Sequence, residues 1–275
     1  MFSYPLSAYL IATPLGVFVG VVLGLTGAGG AVLSVPLLTL VIGLPLVEAA
    51  PIGLLAVFVS AGLGAALALR QKILRYKAAM LMAGAGVLAS PLGIMLAYRV
   101  PERLLTGLFS MLLVWIGWNT WRRTNPSNGA QAEMHEEPCR LNPATGKFRW
   151  TLPCVRAMAG TGLTAGFFSG LLGVGGGFII VPALRRHTDL PMNACVATSM
   201  GVLMLVSAMG VAVSLSHAPL NLAVGTPFIA GAVAGMLAGR HWSERLSGAT
   251  LQRSFALLCL GVAMAMAWSL ARLLF

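Results

Sequence analysis

The sequence predicts an all-α, polytopic membrane protein assembled from two inverted-topology repeats of about five helical segments each. Three observations lead to this fold class. Of the 275 residues, 58% are hydrophobic and only 9% are charged, whereas a soluble domain carries roughly 25% charged residues. Apolar stretches of about 20 residues, enough to cross a ~30 Å hydrocarbon core, follow one another along the chain. One glycine-rich motif also occurs twice.

The repeated motif divides the chain into two related halves. GLTGAGGAVLSVP at residues 24–36 aligns without a gap with GLLGVGGGFIIVP at residues 170–182, and Leu44-Pro45 aligns with Leu190-Pro191 at the same offset. Self-similarity at a fixed offset indicates a duplicated structural unit. The predicted organisation is a first membrane repeat at 1–123, a polar cytoplasmic linker at 124–153 and a second membrane repeat at 154–275.

Each repeat contains five predicted segments. They are 8–26, 30–44, 47–69, 78–98 and 104–122 in the first repeat, and 154–172, 177–185, 192–216, 219–239 and 250–272 in the second. An odd number of segments gives the two copies opposite orientations, an arrangement that recurs in secondary transporters. The second segment of each copy is short and follows a glycine cluster, which leaves open whether it spans the membrane or re-enters.

The distribution of basic residues predicts the orientation in the membrane. With the N-terminus outside, 15 of the 18 Lys and Arg residues fall in inside loops, and only Arg99, Arg103 and Arg272 lie outside. This asymmetry follows the positive-inside rule. The N-terminal stretch lacks the basic n-region of a cleavable signal peptide, so the first helix is expected to remain. The prediction is a multi-pass protein of the bacterial inner membrane with both termini in the periplasm.

The basic character of the chain does not indicate a nucleic-acid partner. The formal net charge is +11, but the basic residues lie in short loops between apolar spans, which is the pattern of membrane topology. The four cysteines, Cys139, Cys154, Cys195 and Cys259, lack paired C-x-x-C spacing. Cys195 and Cys259 fall in apolar spans and are interpreted as small core residues. We therefore expect no metal site, no cofactor and no redox role for Cys139 and Cys154.

The two glycine clusters are the candidate functional sites. Glycine is a poor helix interior, costing about 1 kcal/mol relative to Ala, so each cluster is expected to break a helix and start a new one near the midplane. A helix N-terminus with free amides binds anions. Nearby hydroxyls add donors, and no intramembrane carboxylate or lysine is visible. The predicted substrate-binding residues are Thr26, Gly27, Gly29, Gly30, Ser34, Ser169, Gly173, Gly175, Gly176, Gly177, Thr198 and Ser199.

Two other interpretations of the glycines are weaker. Small residues also allow close helix packing, but Pro36 and Pro182 follow both clusters at the same offset and favour a break. A nucleotide-binding loop is a poor fit, because the GxxxxGK[ST] lysine and its βαβ context are missing.

With these residues in view, the chain resembles the TauE/SafE family of sulfite and sulfonate exporters. The resemblance rests on the paired motifs, on Leu44-Pro45 and Leu190-Pro191, on residues 197–199 and on the basic loop at 70–77. It implies transport of small sulfur oxyanions or organosulfonates. The first repeat has Ala50-Pro51-Ile52-Gly53 where the family often shows Gly-Thr-Ser, and the second has Val206-Ser207 where an Asn often precedes the Ser. An asymmetric site is therefore expected, with more ligands from the second repeat.

The main functional hypothesis is a secondary transporter of small sulfur-containing anions that works by alternating access. Outward movement of one negative charge is favoured by about 2.3 kcal/mol per 100 mV of inside-negative potential. The alternative is a non-transporting membrane subunit that scaffolds a partner complex. An enzyme is not expected, because no cluster of nucleophile, base and orienting residue appears and no catalytic residue is proposed. The expected partners are a small anion and the lipid bilayer, and the sequence leaves a homo-oligomer open.

Overall fold

The computed structural model describes residues 6–27, 29–123, 139, 151–216, 222–243 and 248–272. Within these ranges the chain is helical and contains no strand, only a single isolated bridge between Cys139 and Thr188. The helices are α1 Leu6–Thr26, α2 Gly29–Leu37, α3 Leu46–Arg70, α4 Tyr76–Arg99, α5 Glu102–Arg123, α6 Leu152–Leu172, α7 Gly177–His187, α8 Met192–Leu215, α9 Leu222–Ser243 and α10 Gly248–Arg272. A short π-helical turn, Leu38–Ile42, prolongs α2. Most of the linker lies outside the described residues.

The ten helices correspond to the ten predicted segments, and local chemistry sets several of their ends. Thr151 accepts a hydrogen bond from the Cys154 amide at the start of α6, and Gly173 ends the helix in the left-handed conformation. The α3 helix begins after Leu44-Pro45 as predicted, and the Glu102 carboxylate accepts a hydrogen bond from the Leu46 amide at 2.9 Å. That bond satisfies one of the amides that a helix start leaves free.

Glycines allow two pairs of helices to touch backbone to backbone. Along α1, Gly16, Gly20 and Gly24 rest on the α9 backbone at Phe228, Ala232 and Met236 in increasing order, so α1 and α9 are parallel. Along α6, Gly162, Gly166 and Gly170 rest in the same way on α4 at Met82, Gly86 and Ser90. Small residues are the usual means of close helix approach in a membrane.

The third and fifth helices of the two halves pack against each other. Gly210 of α8 contacts Leu54 of α3, whereas Gly64 of α3 contacts Met200 of α8, so these helices are antiparallel. The α5 and α10 helices are joined by a hydrogen bond from the Ser110 hydroxyl to the Ala263 carbonyl.

The directions of the helices define two opposite faces of the bundle. The linker face is defined by the helix ends at Thr26, Arg70, Arg123, Leu152, Met192 and Ser243. The terminal face is defined by the helix ends at Leu6, Leu46, Arg99, Leu172, Leu215 and Arg272.

The surface of the bundle is that of a membrane protein. Five described helices are long and apolar enough to cross a bilayer: α3, α4, α5, α8 and α9. Large apolar side chains point outward, including Leu88 (75% exposed) and Met111 (73% exposed). Such exposure suits contact with lipid tails, because a soluble protein would bury these groups. The chain is therefore a multi-pass membrane protein.

The cysteines behave partly as expected. Cys195 and Cys259 are free and buried. Cys139 and Cys154 form a disulfide, and the Cys139 amide also donates a hydrogen bond to the His187 carbonyl at the end of α7. This bond was not predicted from the sequence, where no redox role was expected for the pair, because spacing alone does not show that the linker returns to the α6–α7 end.

Candidate functional site

The glycine cluster of the second repeat forms a left-handed loop between α6 and α7. Gly173, Gly175 and Gly176 all have positive φ, at 70°, 72° and 72°. Residues other than glycine adopt this conformation only at a cost of about 1–2 kcal/mol, which explains why the loop needs glycine. Gly176 is the N-cap of α7 and has no side-chain cap. The predicted helix break is therefore present here.

Gly175 lies near the middle of the bundle. Its neighbours are Leu203 and Ser207 of α8 and Val57 of α3, and Val57 and Leu203 both lie close to the midpoints of their helices. The Ser207 hydroxyl oxygen is 3.2 Å from the point that a Cβ atom on Gly175 would occupy. The loop therefore reaches from the terminal face to about half the depth of the protein.

Two buried serines without hydrogen-bond partners lie on the helices around this loop. Ser207 and Ser169 are both fully buried, and their hydroxyl oxygens have no partner in the described part of the chain. Ser169 lies one turn beyond Ala165, whose carbonyl packs against Gly176. An unsatisfied buried hydroxyl costs about 1–3 kcal/mol, and Ser60 and Ser90 share this property, so what distinguishes Ser207 is its position beside Gly175.

The backbone of the loop adds further donors. No hydrogen bond joins the amides of residues 174–178 to any other described residue. The carbonyl of Gly176 accepts from Ile179, and the Gly173 amide donates to Ser169, so the free amides are those between these two bonds. Successive amides at a helix start form a concave set of donors that suits an anion.

The glycine cluster of the first repeat is built differently. Gly27 has a φ of 73°, but α2 resumes at Gly29, so this break is shorter. Gly30 packs against Leu23 and the Val19 carbonyl of α1. Ala31, at the start of α2, belongs to the same buried cluster as Val57 and Leu203, the two residues that flank Gly175. The start of α2 therefore approaches the same central region as the start of α7.

Each glycine break packs on the third helix of the other half. Gly27 contacts Val196 of α8, and Gly173 contacts Ala50 of α3. The Ser199 hydroxyl is within hydrogen-bond distance of the Gly27 carbonyl (3.1 Å) and the Val196 carbonyl (2.8 Å). The structure thus brings Ser199, a predicted ligand from the second repeat, to the glycine cluster of the first repeat.

Most of the predicted hydroxyl ligands bond to the protein itself. Thr26 donates to Val22, Ser34 to Ala31 and Thr198 to Ala194, each to a backbone carbonyl of its own helix. Thr198 also accepts a hydrogen bond from the Arg75 amide. Of the predicted hydroxyls, Ser169 alone retains an unpartnered oxygen among the described residues.

Full charges lie far from the loop. Along α8 there is no ionisable Asp, Glu, Lys, Arg or His between Met192 and Leu215, and along α3 the charged residues are Glu48 and Arg70 near the ends. The first basic residue of α7 is Arg185, eight positions after Gly177 and about 12 Å away along the axis. Among the described helices, the centre therefore offers amide and hydroxyl donors and no cation.

A small cleft lies at the terminal face, between the ends of α3, α4, α5, α6 and α8, and no residue of the loop 173–177 lines it. Apolar residues dominate its wall, with Tyr98 and Ser214 as the polar exceptions. Ala50, which touches Gly173, and Leu54, which lies one turn deeper, form part of this wall.

The linker face is closed by a contact between the two halves. One guanidinium nitrogen of Arg240 on α9 donates to the Gly64 carbonyl of α3 at 2.9 Å, and the other donates to the Gln71 side-chain oxygen at 2.6 Å. Because Arg240 comes from the second half and its partners from the first, these bonds hold the halves together at this end.

Comparisons with known proteins agree with this architecture. The family model described as Sulfite exporter TauE/SafE matches residues 12–266. The chain belongs to the TauE/SafE family. A probable membrane transporter protein of Xylella fastidiosa is 31% identical over 260 residues, which cover 92% of each chain. A probable membrane transporter protein of Bacillus subtilis, YjnA, is 25% identical over 245 residues, covering 86% of this chain and 91% of that protein. No solved structure matches.

The family and the names of these relatives indicate a membrane transporter rather than an enzyme. Ser207 was not among the predicted site residues. One signal was available: Ser207 is a polar residue near the middle of a span that is otherwise almost wholly apolar.

Proposed function

We propose that this TauE/SafE protein is a secondary transporter that moves small sulfur-containing anions, such as sulfite or sulfonates, by alternating access. The anion is held at the start of α7 by the amides of residues 174–178 and by the Ser207 hydroxyl. The observation that carries the proposal is the fully buried, unpartnered Ser207 oxygen beside Gly175, at mid-height of the bundle.

The proposed site has the right electrostatic sign. The N-terminus of a helix carries about half a positive charge, concentrated on its free amides. Burial in a low-dielectric interior strengthens the attraction between these dipoles and an anion. Ser207 and Ser169 supply hydroxyl donors from two other helices, so an anion at Gly175 would be approached from α6, α7 and α8.

We also propose that the two halves are inverted repeats and that transport rocks one against the other. The pairings support this, because exchanging the halves turns the parallel α1–α9 pair into the parallel α6–α4 pair and maps the antiparallel α3–α8 pair onto itself. The contacts of Gly27 with Val196 and of Gly173 with Ala50 exchange in the same way. Binding sites in such transporters lie near the midplane at the repeat interface.

The cleft and the Arg240 contact fit one state of such a cycle. The cleft lies at the terminal face, and Arg240 joins α9 to α3 at the linker face. The basic residues predict that the linker face is cytoplasmic, so we propose that this state is the one in which the site opens toward the periplasm. In the opposite state the Arg240 bonds break and the cleft closes, exposing Gly175 to the cytoplasm.

Flux into proteoliposomes that contain only this protein tests the transport proposal. We expect labelled sulfite or methanesulfonate to enter faster than into protein-free liposomes, and an inside-positive potential to increase the uptake. Absence of flux for every anion in a panel of sulfur oxyanions and short sulfonates would refute the proposal and leave a scaffolding role for the protein.

A further inference from the structure

We infer that the central site selects anions by valence and accepts singly charged anions in strong preference to doubly charged ones. The inference rests on the proposed anion site at Gly175 and goes beyond it, because it specifies the charge state that is carried. Two observations support it: the supply of positive potential at the site and the distance to the nearest full charges.

The positive potential at the site comes from helix starts and amounts to about one elementary charge. The start of α7 contributes about half a charge through the free amides of residues 174–178. The start of α2 contributes a similar amount, since Ala31 packs in one cluster with Val57 and Leu203, the neighbours of Gly175. Together these two ends balance one negative charge and leave the second charge of a dianion uncompensated.

Most described cations lie toward the two faces of the bundle. The one with a buried, unpartnered nitrogen is Arg75, which precedes α4 at the linker face and whose amide donates to Thr198, about 7.5 Å along α8 from Leu203. Arg185 lies at the far end of α7, about 12 Å from the helix start. Arg240 is engaged with Gly64 and Gln71 at the linker face, and Arg99 is exposed at the opposite end of the bundle. Ser207 and Ser169 are neutral, so they can orient an anion but cannot neutralise it.

Because an ion must leave water to bind, the lack of positive potential for a second charge disfavours dianions. The cost of taking an ion out of water rises with the square of its charge, so a dianion loses far more hydration energy than a monoanion of the same size. An uncompensated charge in a dry site carries a large penalty. We therefore expect the affinity for a dianion to be lower by about a hundredfold or more.

Ligands of similar shape and different charge test the inference on the unmodified, full-length protein. Methanesulfonate and sulfate are both tetrahedral about sulfur and differ by one methyl group in place of one charged oxygen. Methylphosphonate changes from monoanion to dianion as the pH rises, whereas methanesulfonate stays a monoanion throughout. Apparent affinities come from the rise in unfolding temperature with ligand concentration, at constant ionic strength set with gluconate.

The expected pattern has two parts. Methanesulfonate stabilises the protein equally across the pH range, whereas sulfate has no effect at the same concentrations. Methylphosphonate loses about tenfold in affinity for each pH unit above its second ionisation. The hydrogensulfite–sulfite pair, compared in the same way, should follow methylphosphonate.

Other results would overturn either the valence selection or the anion site itself. Equal affinity for methanesulfonate and sulfate, or for both forms of methylphosphonate, would overturn valence selection while leaving the anion site intact. If no anion of either charge binds or is transported, the anion site itself is refuted, and the inference with it. In the Ser207→Ala variant, both charge states should weaken by the same factor, so that the preference between them is unchanged.

Discussion

The hydroxyl oxygen of Ser207 lies 3.2 Å from the point that a Cβ atom on Gly175 would occupy. The two residues are 32 positions apart in the sequence and belong to different segments, so the contact depends on how α8 packs beside the glycine loop. Because Ser207 is fully buried and unpartnered among the described residues, its hydroxyl is the side-chain donor that we propose for an anion at Gly175, and Leu203 and Val57, which pack against Gly175, must move apart to admit it.

A side chain at residue 175 should weaken anion binding. A methyl group at residue 175 would lie 2.9 Å from Leu203, and the left-handed φ of 72° disfavours any side chain. For Gly175→Ala we expect a stability loss of about 1–2 kcal/mol from the backbone conformation. We also expect an anion affinity at least about tenfold weaker, because the amides shift (about 1.4 kcal/mol per factor of ten). Thermal unfolding with and without methanesulfonate measures both effects.

Gly84→Ala is the matched control for this substitution. Gly84 lies within α4, and a Cβ atom there would meet nothing within 4 Å. Alanine in a helix interior is up to about 1 kcal/mol more stable than glycine, so this variant should be at least as stable as the wild type and bind normally. Normal anion binding by Gly175→Ala would contradict the proposed amide site.

Removing the Ser207 hydroxyl should have opposite effects on stability and on binding. Without ligand, Ser207→Ala loses an unsatisfied buried hydroxyl, so we expect the protein to gain about 1 kcal/mol of stability. With ligand, it loses a hydrogen bond to a charged group, worth about 1.5–3 kcal/mol, so affinity should fall by about tenfold or more. Unfolding temperatures measured across a ligand titration separate the change in stability without ligand from the change in anion affinity.

Thr164→Ala is the control for the loss of a hydroxyl. Thr164 is exposed on α6 and bonds to carbonyls of its own helix at Gly160 and Thr161. Its replacement should change neither anion affinity nor flux. A Ser207→Ala variant that binds as tightly as the wild type would exclude the hydroxyl as a ligand.

The sequence was sufficient to predict the local architecture. Helix α6 begins and ends close to the predicted 154–172, because Thr151 caps its start and Gly173 ends it in the left-handed conformation. The glycine break before α7 was predicted from the same local chemistry. These features depend on neighbouring residues, so periodicity and composition reveal them.

The partners across the bundle could not be predicted from the sequence. Ser199 meets Gly27, and Ser207 meets Gly175, only because α3 and α8 pack antiparallel with a particular register. That register is a property of tertiary packing. The glycines of α1 and α9 did carry a signal, since their spacing of four residues marks a face for close helix contact.

The direction of insertion has its own test. The structure puts Lys72 at the linker face and Arg103 at the terminal face, both exposed. The basic residues predict a cytoplasmic linker face, so a cysteine replacing Lys72 should react with an impermeant maleimide only from inside. A cysteine replacing Arg103 should react only from outside. The native Cys195 and Cys259 are buried and should give little background, and the variants also carry Cys139→Ser and Cys154→Ser, because those two residues lie at the linker face.

The state of the Cys139–Cys154 bond in cells depends on the same topology that the labelling measures. The Cys139–Cys154 bond lies at the linker face, and disulfides persist mainly in oxidising compartments such as the periplasm. A cytoplasmic linker face implies that the two residues are thiols in growing cells and pair on oxidation. Labelling of Lys72→Cys from outside would instead reverse the topology and place the intact disulfide in the periplasm.

The contact between α4 and α6 should be among the least tolerant in the protein. A Cβ atom on Gly166 would run into the backbone of Gly86, whereas one on Gly160, on the same helix, would meet nothing within 4 Å. Gly166→Ala must push two helix backbones apart, so we expect a loss of about 1–3 kcal/mol or more. Gly160→Ala should be neutral or stabilising by up to about 1 kcal/mol. Thermal unfolding in detergent compares the pair, and equal stabilities would contradict the backbone-to-backbone packing of these helices.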